Sequence, residues 1–427
     1  MEIMKPDWVL FDLDGTLTRS EEGIWNSVKY VAEKTGRPVP DADTLRKFIG
    51  PPLLYSFQTY MGMTEEEARQ AQDIYRERYV VKGRYENRVF PGTRVMLRTL
   101  KNEGVRLGIV TGKPEDSTLA ILDYFGIRRF FERVVCATDG HADKDALIRQ
   151  LLGEDSGEVW MVGDRKFDME GGKLAEVHAL GVTYGYGSEE ELLAAGADCL
   201  AQTPREIAEL LCPGAETPAG AFLAMEGLDG SGKGTQLEYL TDALEKYGFE
   251  VRRTREPGGT PIGEKIRDIL LDRNNMEMTA ETEALLYAAS RAQHVREVIR
   301  PAVAAGQVVL CDRFLDSSVA YQGGGRELGV DEVLSINAPA VDGTYPLLTV
   351  YLDIDHRASM ARRVAASEPD RLEMEQESFH ARVEDAYHEL IRRNPDRYAV
   401  VDAGGDREAI AVEIAKAVLS RLMEAED

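Results

Sequence analysis

The stretch AFLAMEGLDGSGKGTQLEYLTDALEKYG occupies residues 221–248. AFLAME reads as a strand, GLDGSGKGT as a loop, and QLEYLTDALEKYG as an amphipathic helix with Leu237, Leu240 and Leu244 on one face. In that order the glycines acquire a purpose. They let backbone N–H groups converge on phosphate oxygens, and the helix N-terminus adds a favourable field. Gly227, four residues, Gly232 and Lys233 set the spacing of a nucleotide-binding loop. Lys233 would reach the β- and γ-phosphates of ATP. Gly227, Gly230, Ser231, Gly232, Gly234 and Thr235 complete the expected ATP cradle. Gly234 stands where a Ser or Thr is usual, and the hydroxyl comes one place later, at Thr235.

The loop opens past the midpoint of a 427-residue chain, so a domain is expected before it. A linker is legible in CPGAETPAG, residues 212–220, where two prolines and two glycines interrupt helix and strand alike. On both sides short Val/Ile/Leu-rich runs alternate with longer segments of helical period, the pattern of parallel sheets covered by helices. The expected strands are WVLFDLD, RLGIVTG, RVVCATD, VWMVGDR and HALGVTYG before the linker. After it they are AFLAMEG, VVLCDRF, LTVYLDID and YAVVDA. Polar residues and glycines cluster at their C-terminal ends, the edge where open α/β sheets bind ligands. About residues 18–86 break the alternation and read as helices only, an insertion after the first strand. The expectation is therefore two doubly wound parallel-sheet domains, 1–212 and 221–427, joined by residues 213–220.

Composition narrows the function classes. Hydrophobic residues make up 43% and charged residues 30%, which suits a globular protein in water. No apolar run approaches the roughly 20 residues that span a bilayer. Net charge is −24, and both halves are acidic. That excludes nucleic acid or anionic membrane as a main partner, since polyanions need a basic footprint. Small phosphorylated ligands need only a few placed donors. The four cysteines show no metal-ligand spacing and suggest free thiols in a reducing cytoplasm.

In FDLDGTL, residues 11–17, Asp12 and Asp14 lie two apart as a strand ends. Taken alone this pair also arises in solvated acidic turns. IVTGK adds Thr111 and Gly112 at a second strand end. Lys144 opens a helix after a third, and MVGDRKFD brings Asp164 and Asp168 to a fourth. Carboxylates crowded at one sheet edge repel each other unless a cation sits among them, and Mg²⁺ favours such oxygens. The set, in this order, resembles the haloacid dehalogenase-like phosphohydrolases over residues 6 to about 212. The resemblance implies a Rossmann-like domain with a helical cap. It implies Asp12 as nucleophile, Asp14 as acid and base, Thr111, Gly112 and Lys144 on the phosphoryl oxygens, and Mg²⁺ held by Asp12, Asp14 through its backbone carbonyl, and Asp164, with Asp168 orienting the site. KFIGPPLLYSF (47–57) with GYGSEEEL (185–192) resembles the phosphoglycolate phosphatase and 5′-nucleotidase branch, although Asp145 replaces a frequent proline after the lysine.

Beyond the nucleotide loop, four segments come in order: TREPGGTPIGEKIRDILL (254–271), LLYAASRAQHV (285–295), CDRFLDSSVAYQGGGR (311–326) and RLEMEQESF (371–379). Together with the loop they resemble the thymidylate kinases, a P-loop nucleoside monophosphate kinase fold, over about residues 219–424. The resemblance implies transfer of the ATP γ-phosphoryl group to dTMP. Asp229 would orient the sugar, and Glu256 and Pro257 would line the acceptor site. Arg267 and Arg313 would clamp its phosphate. Tyr287 would stack on thymine, Arg291, Ser318 and Gln322 would read the base edge, and Tyr321 would pack near the sugar. Thr235 and Asp312 would hold Mg²⁺. Gly230 cannot supply a catalytic cation from the loop centre, so a lid near residues 361–371 is expected to do so, through Arg363 or Arg371. The family resemblance further implies a homodimer through the kinase domain.

Two other readings stay open on the sequence. The first domain could be a non-catalytic regulatory or dimerising module, or the kinase could serve another base, since GKGT is also the adenylate kinase form of the loop.

Overall fold

The computed structural model describes residues 4–137, 143–364, 371–372 and 374–426. The chain divides into two compact units, Met1–Glu216 with Glu245–Phe249, and Thr217–Leu244 with Glu250–Asp427.

In the first unit β1 (Trp8–Phe11) is buried along its whole length. Two short strands, β2 (Thr18–Arg19) and β3 (Arg88–Val89), pair antiparallel and bracket the helical insertion. Its helices are Glu21–Thr35, Ala42–Arg46, Leu53–Met61 and Glu65–Tyr79. They build a core of their own from Ile24, Val28, Val31, Phe57 and Tyr75. Thr64 and Glu67 cap the fourth helix reciprocally, satisfying two orphan N–H groups. β4 (Arg106–Thr111), β5 (Arg133–Cys136), β6 (Val159–Gly163), β7 (His178–Val182) and β8 (Cys199–Ala201) follow. The sheet order is β5-β4-β1-β6-β7-β8, with every pairing parallel.

The second unit holds β9 (Ala221–Gly227), β10 (Val251–Arg255), β11 (Val308–Asp312), β12 (Leu348–Asp353) and β13 (Tyr398–Asp402). They run parallel in the order β10-β11-β9-β12-β13. Both sheets are doubly wound. β1 lies between β4 and β6, and β9 between β11 and β12, so each is the place where the winding reverses. Ligands of such sheets bind beyond the C-terminal ends at that reversal. The segments that follow are FDLDGTL in one unit and the glycine-rich loop in the other.

All nine expected strands form. Four strands were not anticipated. β10 reads VRRTR and is largely exposed, because an edge strand needs only one partner and can carry arginines outward. β8 has three residues and β2 and β3 two each, too few for a period to register. All four cysteines are free. Among the described residues no helix is long and apolar enough to cross a membrane.

Candidate active sites

At the reversal point of the first unit, Asp12, Asp164 and Asp168 bring carboxylate oxygens within 4.8 Å of one another. Lys144, first residue of the helix Lys144–Leu152, places Nζ 2.7 Å from Asp12 Oδ1 and 2.6 Å from Asp168 Oδ1. Asp168 also accepts the Arg165 N–H at 3.1 Å. Asp164 Oδ2 accepts the Tyr186 N–H at 2.7 Å, while its Oδ1 is buried with no hydrogen-bond partner. Gly15 has φ +84°, and a Cβ there would fall 2.2 Å from Asp164 Oδ2, so only glycine permits this approach. Thr111 ends β4, buried, and Gly112 follows it.

Crowding shows in the electrostatics. Burial first, and then Asp168 and Asp14 against the opposing pull of Lys144, push Asp12 up to about 6. Burial, Asp168 and Asp12 push Asp164 well above the usual carboxylate range. Asp14 is handled differently. Its Oδ2 pairs with Lys113 Nζ at 2.8 Å, and that ammonium also donates to Tyr79 Oη of the helical insertion at 2.6 Å. Burial alone would lower Lys113, but Asp14 and the two tyrosines Tyr79 and Tyr75 outweigh it and hold it above the ordinary lysine range.

In the second unit the loop between β9 and the helix Lys233–Lys246 turns through Gly227, Gly230 and Gly232. Gly232 has φ +96°, a conformation that a side chain would strain. Lys233 Nζ donates to the carbonyls of Gly227 at 3.1 Å and Leu228 at 2.9 Å. Burial and the Arg313 charge lower its pKa. Gly234 and Thr235 are exposed on the first helical turn. Ser231 Oγ and Asp312 Oδ1 are buried without hydrogen-bond partners.

Beside this loop lies a cleft lined by Asp229, Glu256, Pro257, Arg267, Tyr287, Arg291, Arg313, Tyr321 and Gln322, with Leu271, Phe314, Ser317 and Leu372. Arg313 Nη2 sits 2.5 Å from Asp229 Oδ1 and 3.2 Å from Tyr321 Oη, which itself donates to Asp229 at 2.8 Å. Burial would raise Asp229, but Arg313, Lys233 and Tyr321 hold it well below the usual carboxylate range. Arg267 donates to the Pro257 carbonyl at 2.9 Å.

The comparisons follow this division. The family model "Thymidylate kinase" matches residues 225–414, and "Haloacid dehalogenase-like hydrolase" matches residues 9–182. A thymidylate kinase of Halothermothrix orenii is 51% identical over 198 residues, covering 46% of this chain and 94% of that protein. One of a Geobacillus species is 46% identical over 205 residues, covering 48% and 98%. The chain belongs to the thymidylate kinase family, fused to a haloacid dehalogenase-like hydrolase. Among solved structures, a predicted phosphatase of Clostridium acetobutylicum is 39% identical, covering 48% of this chain and 97% of that one at a TM-score of 0.45.

In the thymidylate kinase unit, several of the expected site residues hydrogen-bond within the protein. Arg291 was expected at the base edge. It lines the cleft, yet its N–H groups all serve the protein: Nε to Glu256 at 2.8 Å, Nη1 to Ser318 and Asn337, Nη2 to Phe314 O and Ser318. Ser318 is accordingly occupied and 1% exposed. Gln322 donates Nε2 to Glu283 at 2.8 Å and keeps Oε1 without a partner. Arg371, a candidate lid arginine, is 2% exposed. It donates Nη2 to Glu283 at 2.6 Å and Nε to the Leu270 carbonyl at 2.8 Å. A guanidinium so committed is a clamp on Glu283, not a cation presented to the cleft. The side chain of Arg363, the other candidate, lies outside the described residues.

Sequence reading passed over Lys113, Glu226, Glu283, Ser317 and Tyr387. Glu226 had a signal, an acid inside an otherwise apolar strand. Lys113 had a weaker one, two residues after Thr111 in the hydrolase unit. Glu283 and Tyr387 sit on helices with no local mark of burial.

Proposed function

We propose that the chain carries two activities, a dTMP kinase and a phosphomonoesterase. The kinase reading is carried by one arrangement: Arg313, Asp229 and Tyr321 interlocked at the floor of a cleft next to the Lys233 loop. In-line transfer of a phosphoryl group depends on positioning and charge neutralisation more than on covalent chemistry. Lys233 and the loop N–H groups would take the ATP phosphates. Arg313 and Arg267 would hold the dTMP phosphate, Asp229 and Tyr321 the sugar, and Tyr287 would stack on the base. Glu256 and Pro257 shape the wall, and Gln322 Oε1 is left for the base edge. Asp312, with its buried unpartnered oxygen, and Thr235 fit a Mg²⁺ bound with the nucleotide. The catalytic lid cation falls to Arg363.

In the hydrolase unit, Asp12 would attack phosphorus and form an aspartyl-phosphate. Asp14 would protonate the leaving oxygen and then activate water. Lys144, Thr111 and Gly112 would hold the phosphoryl oxygens. The donor set fits Mg²⁺: the chemistry is all oxygen, two carboxyls are pushed up by burial and then by neighbouring carboxylates, and Asp164 Oδ1 has no partner. Asp12, Asp164 and the Asp14 carbonyl would hold the ion, with Asp168 beside it, and it would offset charge on the phosphoryl group. The substrate class we favour is a small phosphomonoester, a nucleoside monophosphate or a phosphoglycolate-like acid. We extend the reading to a cytoplasmic homodimer paired through the kinase unit, which light scattering of the purified chain checks.

The deciding experiment uses the full-length chain. With Mg·ATP it should convert dTMP to dTDP far faster than it phosphorylates AMP; equal use of AMP refutes the thymidylate reading. Asp12→Asn should abolish phosphate release across a phosphomonoester panel and leave the kinase intact. Undiminished release by that variant refutes the nucleophile assignment.

A further inference from the structure

Glu226 lies in β9 three residues before Asp229 and is fully buried. A carboxylate so placed is costly unless its lone pairs are used, and here they are. Oε1 accepts the Phe314 N–H at 2.7 Å and the Ser317 N–H at 3.3 Å. Oε2 accepts Ser317 Oγ at 2.6 Å and Tyr387 Oη at 2.8 Å. The same two hydroxyl oxygens receive Arg313 Nη1, at 3.0 Å and 3.4 Å. Arg313 needs such support. It has φ +68°, sparsely populated for a residue with a side chain, and its Nη2 faces Asp229 and Tyr321 in the cleft.

We propose that Glu226 is a positioning residue for the acceptor phosphate, acting through the directions of two hydroxyl protons. This rests on the reading of Arg313 as the acceptor-phosphate clamp. A carboxylate can only accept, so both hydroxyl hydrogens can turn toward Oε2. That leaves the lone pairs of Ser317 and Tyr387 for Arg313 Nη1. Asp229 and Tyr321 hold one edge of the guanidinium, and Glu226, through two hydroxyls, holds the other. With both edges held, the guanidinium has a fixed plane and position against which the acceptor phosphate can be placed.

The corresponding amide separates geometry from polarity. In Glu226→Gln the carbonyl oxygen can still accept the two N–H groups, and the volume is unchanged. The NH₂ then donates where Oε2 accepted. Ser317 and Tyr387 must then accept from it, so their own hydrogens lose the carboxylate that aims them and can turn to one another across 2.9 Å or toward Arg313, which also only donates. The lone pairs offered to Arg313 would no longer be fixed in direction, and the second edge of the guanidinium would be held loosely. ATP phosphates, held by the loop and Lys233, would feel little of this.

The test is steady-state kinase assay of the full chain at about pH 8.5, where Glu226 is ionised, varying dTMP and ATP separately. Glu226→Gln is expected to raise KM for dTMP about ten-fold or more. KM for ATP should stay within about two-fold, and kcat at saturating dTMP within a few fold. Tyr387→Phe, which removes one of the two relays, should shift KM for dTMP in the same direction by less. An unchanged KM for dTMP in an active Glu226→Gln enzyme overturns this inference alone. An equal rise in both KM values overturns it too, because general damage to the cleft would do that. If Glu226→Gln does not fold, Tyr387→Phe decides by the same criteria. A wild-type chain that does not use dTMP refutes the kinase reading and this inference with it.

Discussion

Replacing Arg371 with methionine should weaken the kinase unit without stopping phosphoryl transfer. The guanidinium and the Glu283 carboxylate are 2% and 0% exposed and lie 2.6 Å apart. Removing one partner of a buried pair costs about 3–5 kcal/mol, mostly because the other charge is stranded. Here Glu283 keeps Arg326 Nη2 at 3.0 Å and Gln322 Nε2 at 2.8 Å, which argues for the lower end. The Leu270 carbonyl also loses its donor, worth about 1 kcal/mol. A loss of about 3 kcal/mol is therefore expected for Arg371→Met in urea unfolding of the kinase unit. Adding Glu283→Gln removes the stranded charge, so the double variant should recover part of that loss, a coupling of about 1–2 kcal/mol. The kcat for dTMP should remain within about ten-fold of wild type. The opposite pattern refutes the reasoning: stability within about 0.5 kcal/mol of wild type, with kcat down about a thousand-fold, as for an arginine that stabilises the transferring phosphoryl group.

Lys113→Met should reduce kcat/KM for phosphate release about a hundred-fold, since Asp14 loses its cation and Tyr79 loses its donor together; a change under about three-fold would show that the Lys113–Asp14 pair is not used in turnover. Stability should also depend on pH through Glu226, which burial first and Asp316 next push up to about 7 from 4.5. A carboxyl raised by folding binds its proton more tightly in the native state, so stability falls as pH rises from about 4.5 to about 7, by about 3 kcal/mol. The difference between wild type and Glu226→Gln in urea unfolding at pH 5 and pH 8 should show that slope, and parallel profiles would contradict it. Chelation with EDTA should stop both activities, and added Mg²⁺ should restore them; phosphate release that survives chelation would contradict the metal assignment for Asp12 and Asp164.

The parts of the molecule that could be read from the sequence share a physical cause. A parallel strand buried on both faces must be an apolar run, and every such run here became a strand. VRRTR at 251–255 could not be read that way, because β10 is an edge whose arginines face outward. The site residues that the sequence exposed, Asp12, Thr111, Asp164 and Asp312, stand at or just beyond strand ends. A doubly wound sheet delivers all such ends to one edge, so residues distant in the chain converge without any local sign being needed.

What stayed hidden is pairing between a helix and a strand and between a helix and a turn. Tyr387 meets Glu226 across 161 positions and Arg371 meets Glu283 across 88. Glu283 sits on the helix Ala280–His294 among the acids of its first turn, where an exposed charge would be ordinary. Its burial depends on helix packing, and packing converts it from a solvated face into the acceptor for two arginines and a glutamine. The identity of Arg371 as a cation was legible; the direction of its charge was not. An arginine near a phosphate site serves either the substrate or a buried acid, and the same residue pattern permits both. The choice is made by the neighbour's desolvation, because a buried carboxylate must be met from within the protein. In this chain Glu283 makes that demand, and Arg371 answers it.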